Sequence, residues 1–235
     1  MAERRTGLGI DIGGSGIKGA PVDLGTGEFL TERVKIATPE RSTPQAVAEV
    51  IGEIAGRFPG TAGTPVGITF PGVVQQGVVH TAANVDHTWV GTDAVSLFSD
   101  VLERPVRVLN DADAAALAEA HYGAASTTSG LVLLTTLGTG IGTALVVHGH
   151  LVPNTEFGHL EVDGHDAETR ASSEAKKRDG LSYHAWAVER LQRYYRVVED
   201  LVWPDLIVVG GGVSRKAHKF LPHLDLRTPI VPAEL

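Results

Sequence analysis

The chain begins as short apolar runs separated by glycine-rich turns. Residues 7–12 (GLGIDI) stop at Gly13-Gly14-Ser15-Gly16, and residues 17–24 (IKGAPVDL) resume the run, which predicts two strands joined by a tight turn. Gly25-Thr26-Gly27 predicts a second hairpin turn, and alternation over 28–36 a third strand. The period then changes. Val47, Val50, Ile51 and Ile54 recur at helical spacing over 43–57, with Thr43 as N-cap and Pro44 at the first helical position. A strand over 65–70 ends at Pro71-Gly72, a helix follows over 93–102, and a strand over 106–109 runs into Asn110-Asp111 and the alanine-rich helix 112–122. Then the pattern restarts. Residues 130–137 form a buried strand, Gly138-Thr139-Gly140-Ile141-Gly142 a turn, 143–148 a strand, and His148-Gly149-His150 a hairpin turn. A long helix is predicted over 182–202, a strand over 205–209, a turn at Gly210-Gly211-Gly212 and a helix over 213–221. Strands interleaved with helices predict an α/β protein.

The restart has a sequence signature: Gly14-Ser-Gly-Ile-Lys-Gly-Ala20 aligns with Gly138-Thr-Gly-Ile-Gly-Thr-Ala144. Two copies of a strand–turn–strand unit imply two related lobes, with the boundary at 111–112, so the expected domains are 1–111 and 112–235.

Composition narrows the classes. The 235 residues include 28 glycines, well above the usual ~7% share, and no cysteine. Disulfide frameworks, cysteine-built zinc knuckles and thiol nucleophiles are excluded. A net charge of −8 argues against nonspecific nucleic-acid binding. No apolar run approaches the ~20 residues of a membrane span, and residues 1–14 lack a signal peptide's apolar core, so a soluble cytoplasmic protein is the expectation.

The glycine turns carry the first candidate chemistry. Gly14-Ser15-Gly16-Ile17-Lys18-Gly19 matches G-x-G-x-x-G, but a dinucleotide fingerprint opens a helix, and Pro21 and Gly25-Thr-Gly27 fall where that helix would run. A hairpin whose backbone N–H groups form an anion nest fits better, since glycine lets a phosphate approach closely. Asp11, at the strand end, is placed to hold Mg²⁺ directly or through water. Lys18 either neutralises a phosphate or points to solvent. The bland alternative is a hairpin whose glycines serve only positive φ.

Together these residues resemble the ROK family of sugar kinases. Asp11-Ile-Gly-Gly-Ser-Gly-Ile-Lys18, Asn110-Asp111, Leu137-Gly-Thr-Gly-Ile-Gly142, Glu156-Phe-Gly-His159 and Val209-Gly-Gly-Gly-Val-Ser214 occur in the family's order across nearly the whole chain. Ile68-Thr-Phe-Pro-Gly72, Thr81-Ala-Ala-Asn-Val-Asp86, Pro153-Asn-Thr-Glu-Phe-Gly-His159 and Trp203-Pro-Asp205 look like one actinobacterial branch, glucokinases that use inorganic polyphosphate. The resemblance implies the actin-like ATPase (ribonuclease H-like) fold, with two α/β lobes around a central cleft that closes over the sugar. The small lobe, 1–111, would carry the first phosphate turn with the catalytic Asp at its edge. The large lobe, 112–235, would carry the second turn and the sugar-binding Glu/His segment. It further implies Mg²⁺-dependent transfer from polyphosphate and ATP to the 6-hydroxyl of glucose and mannose, by a homodimer.

Two departures stand out. The family pattern C-x-C-G-x-x-G-C-x-E, which binds zinc, is here Asp163-Gly-His-Asp-Ala-Glu-Thr-Arg-Ala-Ser172, so Glu168 carries over as a sugar ligand and no zinc site is expected. The family also continues past Pro232-Ala-Glu-Leu235 into a further helix, so the sequence is expected to be part of a longer one.

The resemblance assigns roles residue by residue. Asp111 is the candidate base for the sugar hydroxyl, or, read on its own, the N-cap of the helix that follows; one side chain can do both. Asp113 reads as a first-turn partner of the helix dipole. Asn84, Asn110, Asp111, Glu156, His159 and Glu168 would line the sugar site, since a hexose needs in-plane donors and acceptors. His159 alternatively plays a structural part, and Asp86 and His87 are weaker candidates. Asp11, Gly13, Gly14, Ser15, Gly16, Lys18, Gly138, Thr139, Gly140, Gly142, Gly211 and Gly212 would surround the phosphate donor. Arg215, Lys216, His218 and Lys219 form a basic cluster suited to a polyanion longer than ATP, or simply a solvated helix face. Lys176-Lys177-Arg178 and the set Arg190, Arg193, Arg196 are further patches, the latter equally readable as a salt-bridged surface. An ATP-only hexokinase and a sugar-sensing regulator are the alternatives; the regulator needs an N-terminal helix-turn-helix, for which the early first strand leaves no room.

Overall fold

The computed structural model describes residues 5–235. The chain divides between Asp111 and Ala112 into two compact units, each with its own sheet and core. The first unit contains β1 (Thr6–Gly13), β2 (Gly16–Asp23), β3 (Val34–Ile36), α1 (Pro44–Gly56), β4 (Val66–Phe70), the short pair β5 (Val74–Gln75) and β6 (Val78–Val79), α2 (Ala94–Leu102) and β7 (Val106–Asn110). The sheet order is β3-β2-β1-β4-β7. The β1–β2 pair is antiparallel with Asp11 opposite Lys18 and Gly13 opposite Gly16, while β4 runs parallel to both β1 and β7. Helix α1 forms as its pattern predicts. The Thr43 side chain accepts the Ala46 N–H, and Val47, Ala48, Ile51 and Ile54 are buried. The core closes around Trp89, whose ring centroid lies 4.8 Å from Phe70 and 5.8 Å from Phe98. Its indole N–H donates to the Ser42 carbonyl at 2.8 Å, so the burial leaves that donor satisfied.

The second unit, Ala112–Leu235, begins within α3 (Asp111–Tyr122). It continues with β8 (Leu131–Leu137), β9 (Ile141–Val147), β10 (His150–Val152), the hairpin β11 (Glu161–Val162) and β12 (His165–Asp166), α4 (Glu168–Ala171), α5 (Ser173–Arg178), α6 (Tyr183–Trp186), α7 (Gln192–Val202), β13 (Leu206–Gly210) and β14 (Ile230–Pro232). Its sheet order, β10-β9-β8-β13-β14, repeats that of the first unit strand for strand: an antiparallel hairpin, then parallel additions. The internal similarity of the two glycine-turn segments is thus a similarity of their hairpins. Among the described residues, no helix is long and apolar enough to cross a membrane.

Three local expectations change. The third strand shrinks to Val34–Ile36, because Phe29 makes only an isolated bridge to Val22 and is exposed. The long helix over 182–202 contains a π-helical turn at Ala187–Leu191. Residues 213–221 form the 3₁₀ turn Ser214–Lys219, in which Lys216 departs from helical geometry (φ −115°, ψ 18°), followed after the non-helical Phe220 (φ −134°) by a second at Leu221–His223. Asp113 lies in the first turn of α3, as read, and is buried there, its Oδ2 accepting the Asn154 N–H at 2.9 Å. The branch-like Trp203-Pro-Asp205 is structural. Trp203 ends α7 in left-handed geometry beneath the Arg227 guanidinium, and Asp205 Oδ2 accepts the Leu131 N–H at 2.7 Å.

Candidate active site

In the first unit, Asp11, Pro71-Gly72 and Asn110-Asp111 fall at the carboxyl ends of β1, β4 and β7, where open α/β sheets bind ligands. Gly13 and Gly16 close the β1–β2 ladder around the exposed tip Gly14-Ser15. None of these glycines is at positive φ. What they supply is close approach: a Cβ on Gly14 would lie 3.1 Å from that of Asn84, and one on Gly16 would overlap the Lys35 side chain. Asn84, itself at φ 60°, is therefore seated against the first turn. Asn110 Nδ2 donates to the Gly72 carbonyl at 3.2 Å, and a Cβ on Gly72 would collide with the Thr81 carbonyl. The loop carrying Asn84 is thereby tied to Asn110.

Asp11 has two partners. Thr69 Oγ1 donates to Oδ1 at 2.8 Å, and the Lys18 ammonium lies 3.4 Å from Oδ2. Lys18 thus neutralises Asp11 across the strand pair rather than standing alone in solvent. One half-exposed carboxylate beside a hydroxyl fits Mg²⁺, which keeps several waters and usually takes one or two carboxylates plus substrate phosphates. Asp111 is exposed and is the first residue of α3. Asp86 is a capping group: Thr88 donates to it from both its backbone N–H and its hydroxyl, and these bonds hold its carboxyl below the usual range. His87 projects into solvent, 95% exposed.

In the second unit, Gly138-Thr139-Gly140 links β8 to β9 and Gly142 lies within β9 opposite Thr136. Gly211 follows β13 at φ 81°, where a Cβ would lie 2.8 Å from the Leu137 carbonyl oxygen; Gly212 beside it is exposed. A Cβ on Gly140 would overlap the Glu168 carboxylate, whose Oε2 accepts the Ile141 N–H at 3.1 Å. Glu168 is therefore docked on the second turn. Glu156 precedes the 3₁₀ turn Phe157–His159, which the Thr143 hydroxyl anchors by accepting the Phe157 N–H at 3.0 Å and donating to the Thr155 carbonyl at 2.7 Å. His159 Nδ1 is 2.9 Å from Asp166 Oδ2 and 4.0 Å from Glu168 Oε1. The Asp166 hydrogen bond, aided by the charges of Glu168, Asp166 and Glu156, raises the His159 pKa above its ordinary value. Asp166 was not among the sequence candidates. Its signal was its place, two residues before Glu168, where the family pattern puts its last cysteine.

The basic patches separate on inspection. Arg193 grips Asp163, its NH2 group 2.8 Å from Oδ1, and Arg196 reaches Asp225 at 3.2 Å, so these two belong to a salt-bridged surface. Arg190 lies in the π-helical turn and lines a cavity with Arg193 and Tyr194. Lys177 pairs with Glu174, and Arg178 with Asp179. Lys176 and Lys219 instead converge on one ring, lying 4.2 and 5.8 Å from the centroid of Tyr183. Both elements that carry them start beside the second turn: the Glu174 N–H donates to the Gly138 carbonyl, and Gly211 packs on Leu137.

Residues 7–175 match the ROK family, and the chain belongs to it. Its strand order and its structural neighbours are those of the actin-like ATPase fold. It is 52% identical to the polyphosphate glucokinase of Mycobacterium tuberculosis over 233 residues, 99% of this chain and 87% of that one. It is likewise 52% identical to the polyphosphate glucokinase of Mycobacterium leprae, over 99% of this chain and 71% of that protein. The crystal structure of inorganic polyphosphate/ATP-glucomannokinase from Arthrobacter sp. strain KM matches with a TM-score of 0.92 and 55% identity, covering 98% of this chain and 93% of that one.

Proposed function

We propose that this protein is a cytoplasmic, homodimeric kinase that transfers a phosphoryl group from inorganic polyphosphate, and from ATP, to the 6-hydroxyl of glucose and mannose. The observation that carries this reading is identity above one half, over almost the full chain, to enzymes named for that reaction. Asp111 accepts the proton of the attacking hydroxyl. Asn84, Asn110, Glu156, His159 and Glu168 hold the remaining hydroxyls and aim the nucleophile. The hairpin turn of each unit offers backbone N–H groups to phosphate. Phosphoryl transfer asks mainly for such alignment and charge neutralisation. Asp11 would hold Mg²⁺, which would neutralise negative charge on the donor phosphates. No zinc is invoked, since residues 160–172 hold none of the cysteines of the family pattern.

The deciding experiment is an activity matrix on purified protein: glucose or mannose, each with long-chain polyphosphate or ATP, with and without Mg²⁺. Turnover of glucose with polyphosphate is the expected result, and turnover with ATP alone would leave an ATP-only hexokinase. Mannose differs from glucose at the 2-hydroxyl, so its rate reads how tightly that position is held.

The convergence of Lys176 and Lys219 on Tyr183 suits a polyanion that extends beyond the transferred phosphate. The double variant Lys176→Glu, Lys219→Glu is expected to raise the KM for long polyphosphate about fivefold or more, with a smaller effect on ATP. Steady-state kinetics with both donors at two ionic strengths checks it. Equal effects on the two donors would remove this patch from the polyphosphate path.

A further inference from the structure

We propose that Asp166 is a positioning residue of the sugar site, a single carboxylate that sets His159 with one oxygen and Glu168 with the other. The proposal rests on the proposed function for the roles of His159 and Glu168, and on geometry for the rest. Oδ2 receives the His159 Nδ1–H at 2.9 Å, and Oδ1 receives the Glu168 backbone N–H at 3.1 Å. The Asp166 carbonyl accepts the Thr169 hydroxyl at 2.6 Å, and the Ala167 N–H donates to the Leu160 carbonyl at 2.9 Å. The 3₁₀ turn bearing Glu156 and His159 and the helix opening at Glu168 are thus joined through one side chain.

The chemistry of the bridge is specific. Committing Nδ1 to Asp166 leaves Nε2 as the ring nitrogen that can meet a sugar hydroxyl. Glu168 Oε2 is occupied by the Ile141 N–H, which leaves Oε1 for the same ligand. Both bonds to Asp166 need an acceptor atom, and a carboxylate has two whereas an amide has one. Asparagine that accepts the Glu168 N–H with its oxygen can meet His159 Nδ1 only as a donor, which puts the imidazole proton on Nε2 and removes the negative partner of the charged ring. The charged groups facing His159 are Asp166, Glu168 and Glu156. Strand β9, which packs beneath the turn, adds no titratable side chain.

The test uses Asp166→Asn with Asp166→Ala beside it. For Asp166→Asn, the glucose KM is expected to rise about tenfold or more, the loss of a charge-assisted hydrogen bond, while the polyphosphate KM stays within twofold. Glucose binding without donor, followed by calorimetry, should weaken by the same factor, with the thermal midpoint unchanged within about 2 °C. The His159 imidazole titration, read by NMR and assigned with His159→Gln, should move to lower pH in Asp166→Asn. Losing the negative partner disfavours the charged ring, so this direction holds whichever protonation state meets the sugar. Unchanged glucose affinity with an unmoved titration overturns the proposal. So does a uniform loss of stability and of both KM values, which marks a structural role alone. Because the His159, Asp166 and Glu168 ligand atoms lie within 4.8 Å of one another, stoichiometric zinc in the purified protein, with sugar binding lost on chelation, also overturns it. A wild-type protein that fails to phosphorylate glucose defeats the proposed function instead, and the imidazole titration still reports on the bridge.

Discussion

Replacing Asp111 by alanine is expected to lower kcat about a thousandfold, with glucose affinity changed by less than about fivefold. A positioned general base contributes typically 10²–10⁴ in rate, and proton removal from the 6-hydroxyl leaves the other sugar contacts in place. The position favours this role. Asp111 follows the carboxyl end of β7 and opens α3, so its backbone is fixed by both elements while its side chain stays exposed. Asp113 is the internal control. It is 1% exposed and its Oδ2 holds the Asn154 N–H, so Asp113→Ala should lower the thermal midpoint and leave kcat of the folded fraction within a few fold. Asp111→Asn should resemble Asp111→Ala, because an amide cannot take the proton. Turnover of Asp111→Ala within tenfold of wild type would remove it as the base.

Much of this was legible in the sequence where the signal is local. The helix over 43–57, with its Thr43 cap, and the strands over 65–70 and 130–137 follow from period and punctuation alone. The glycine turns were legible as turns, but the reason for their glycines was not. Positive φ explains Gly211 and none of Gly13, Gly14, Gly16, Gly138, Gly140 or Gly142; Gly14 and Gly140 instead leave room for Asn84 and Glu168, Gly13, Gly16 and Gly142 for a neighbouring strand, and a Cβ on Gly138 would meet open space. Asn84 and Glu168 come from distant parts of the chain, and spacing does not encode them. The π-helical turn at Ala187–Leu191 cannot show in a pattern read at 3.6 residues per turn. The segment 161–178 was opaque for another reason. Its hairpin strands are two residues long, its buried face is mainly the small side chains of Ala167, Ala171 and Ala175, and polar bonds of Asp166 and Ser172 complete its order. The candidate that sequence reading missed, Asp166, lies in that segment.

The same contrast between room and backbone freedom gives the second large effect. Gly140→Ala is allowed by backbone geometry, since Gly140 is not at positive φ. Its new methyl would occupy the place of the Glu168 carboxylate, the far end of a flexible side chain, which would swing away and lose the Ile141 N–H. The expected result is a glucose KM raised about tenfold or more, with a thermal midpoint within about 2 °C of wild type. Gly158→Ala meets something that cannot swing: its Cβ would collide with the Ile141 carbonyl oxygen and lie 3.0 Å from the carbonyl carbon. The 3₁₀ turn would have to lift from β9, displacing Glu156 and His159 together. Overpacking of that kind costs about 1–3 kcal/mol, a fall in thermal midpoint of roughly 3–10 °C for a chain of this size. Gly158→Ala should therefore lose stability and glucose affinity together, whereas Gly140→Ala should lose affinity alone. Calorimetric glucose binding and thermal unfolding on both variants separate the two. A Gly140→Ala protein with wild-type glucose affinity would take Glu168 out of the sugar site, because the three atoms nearest the new methyl all belong to the Glu168 carboxylate.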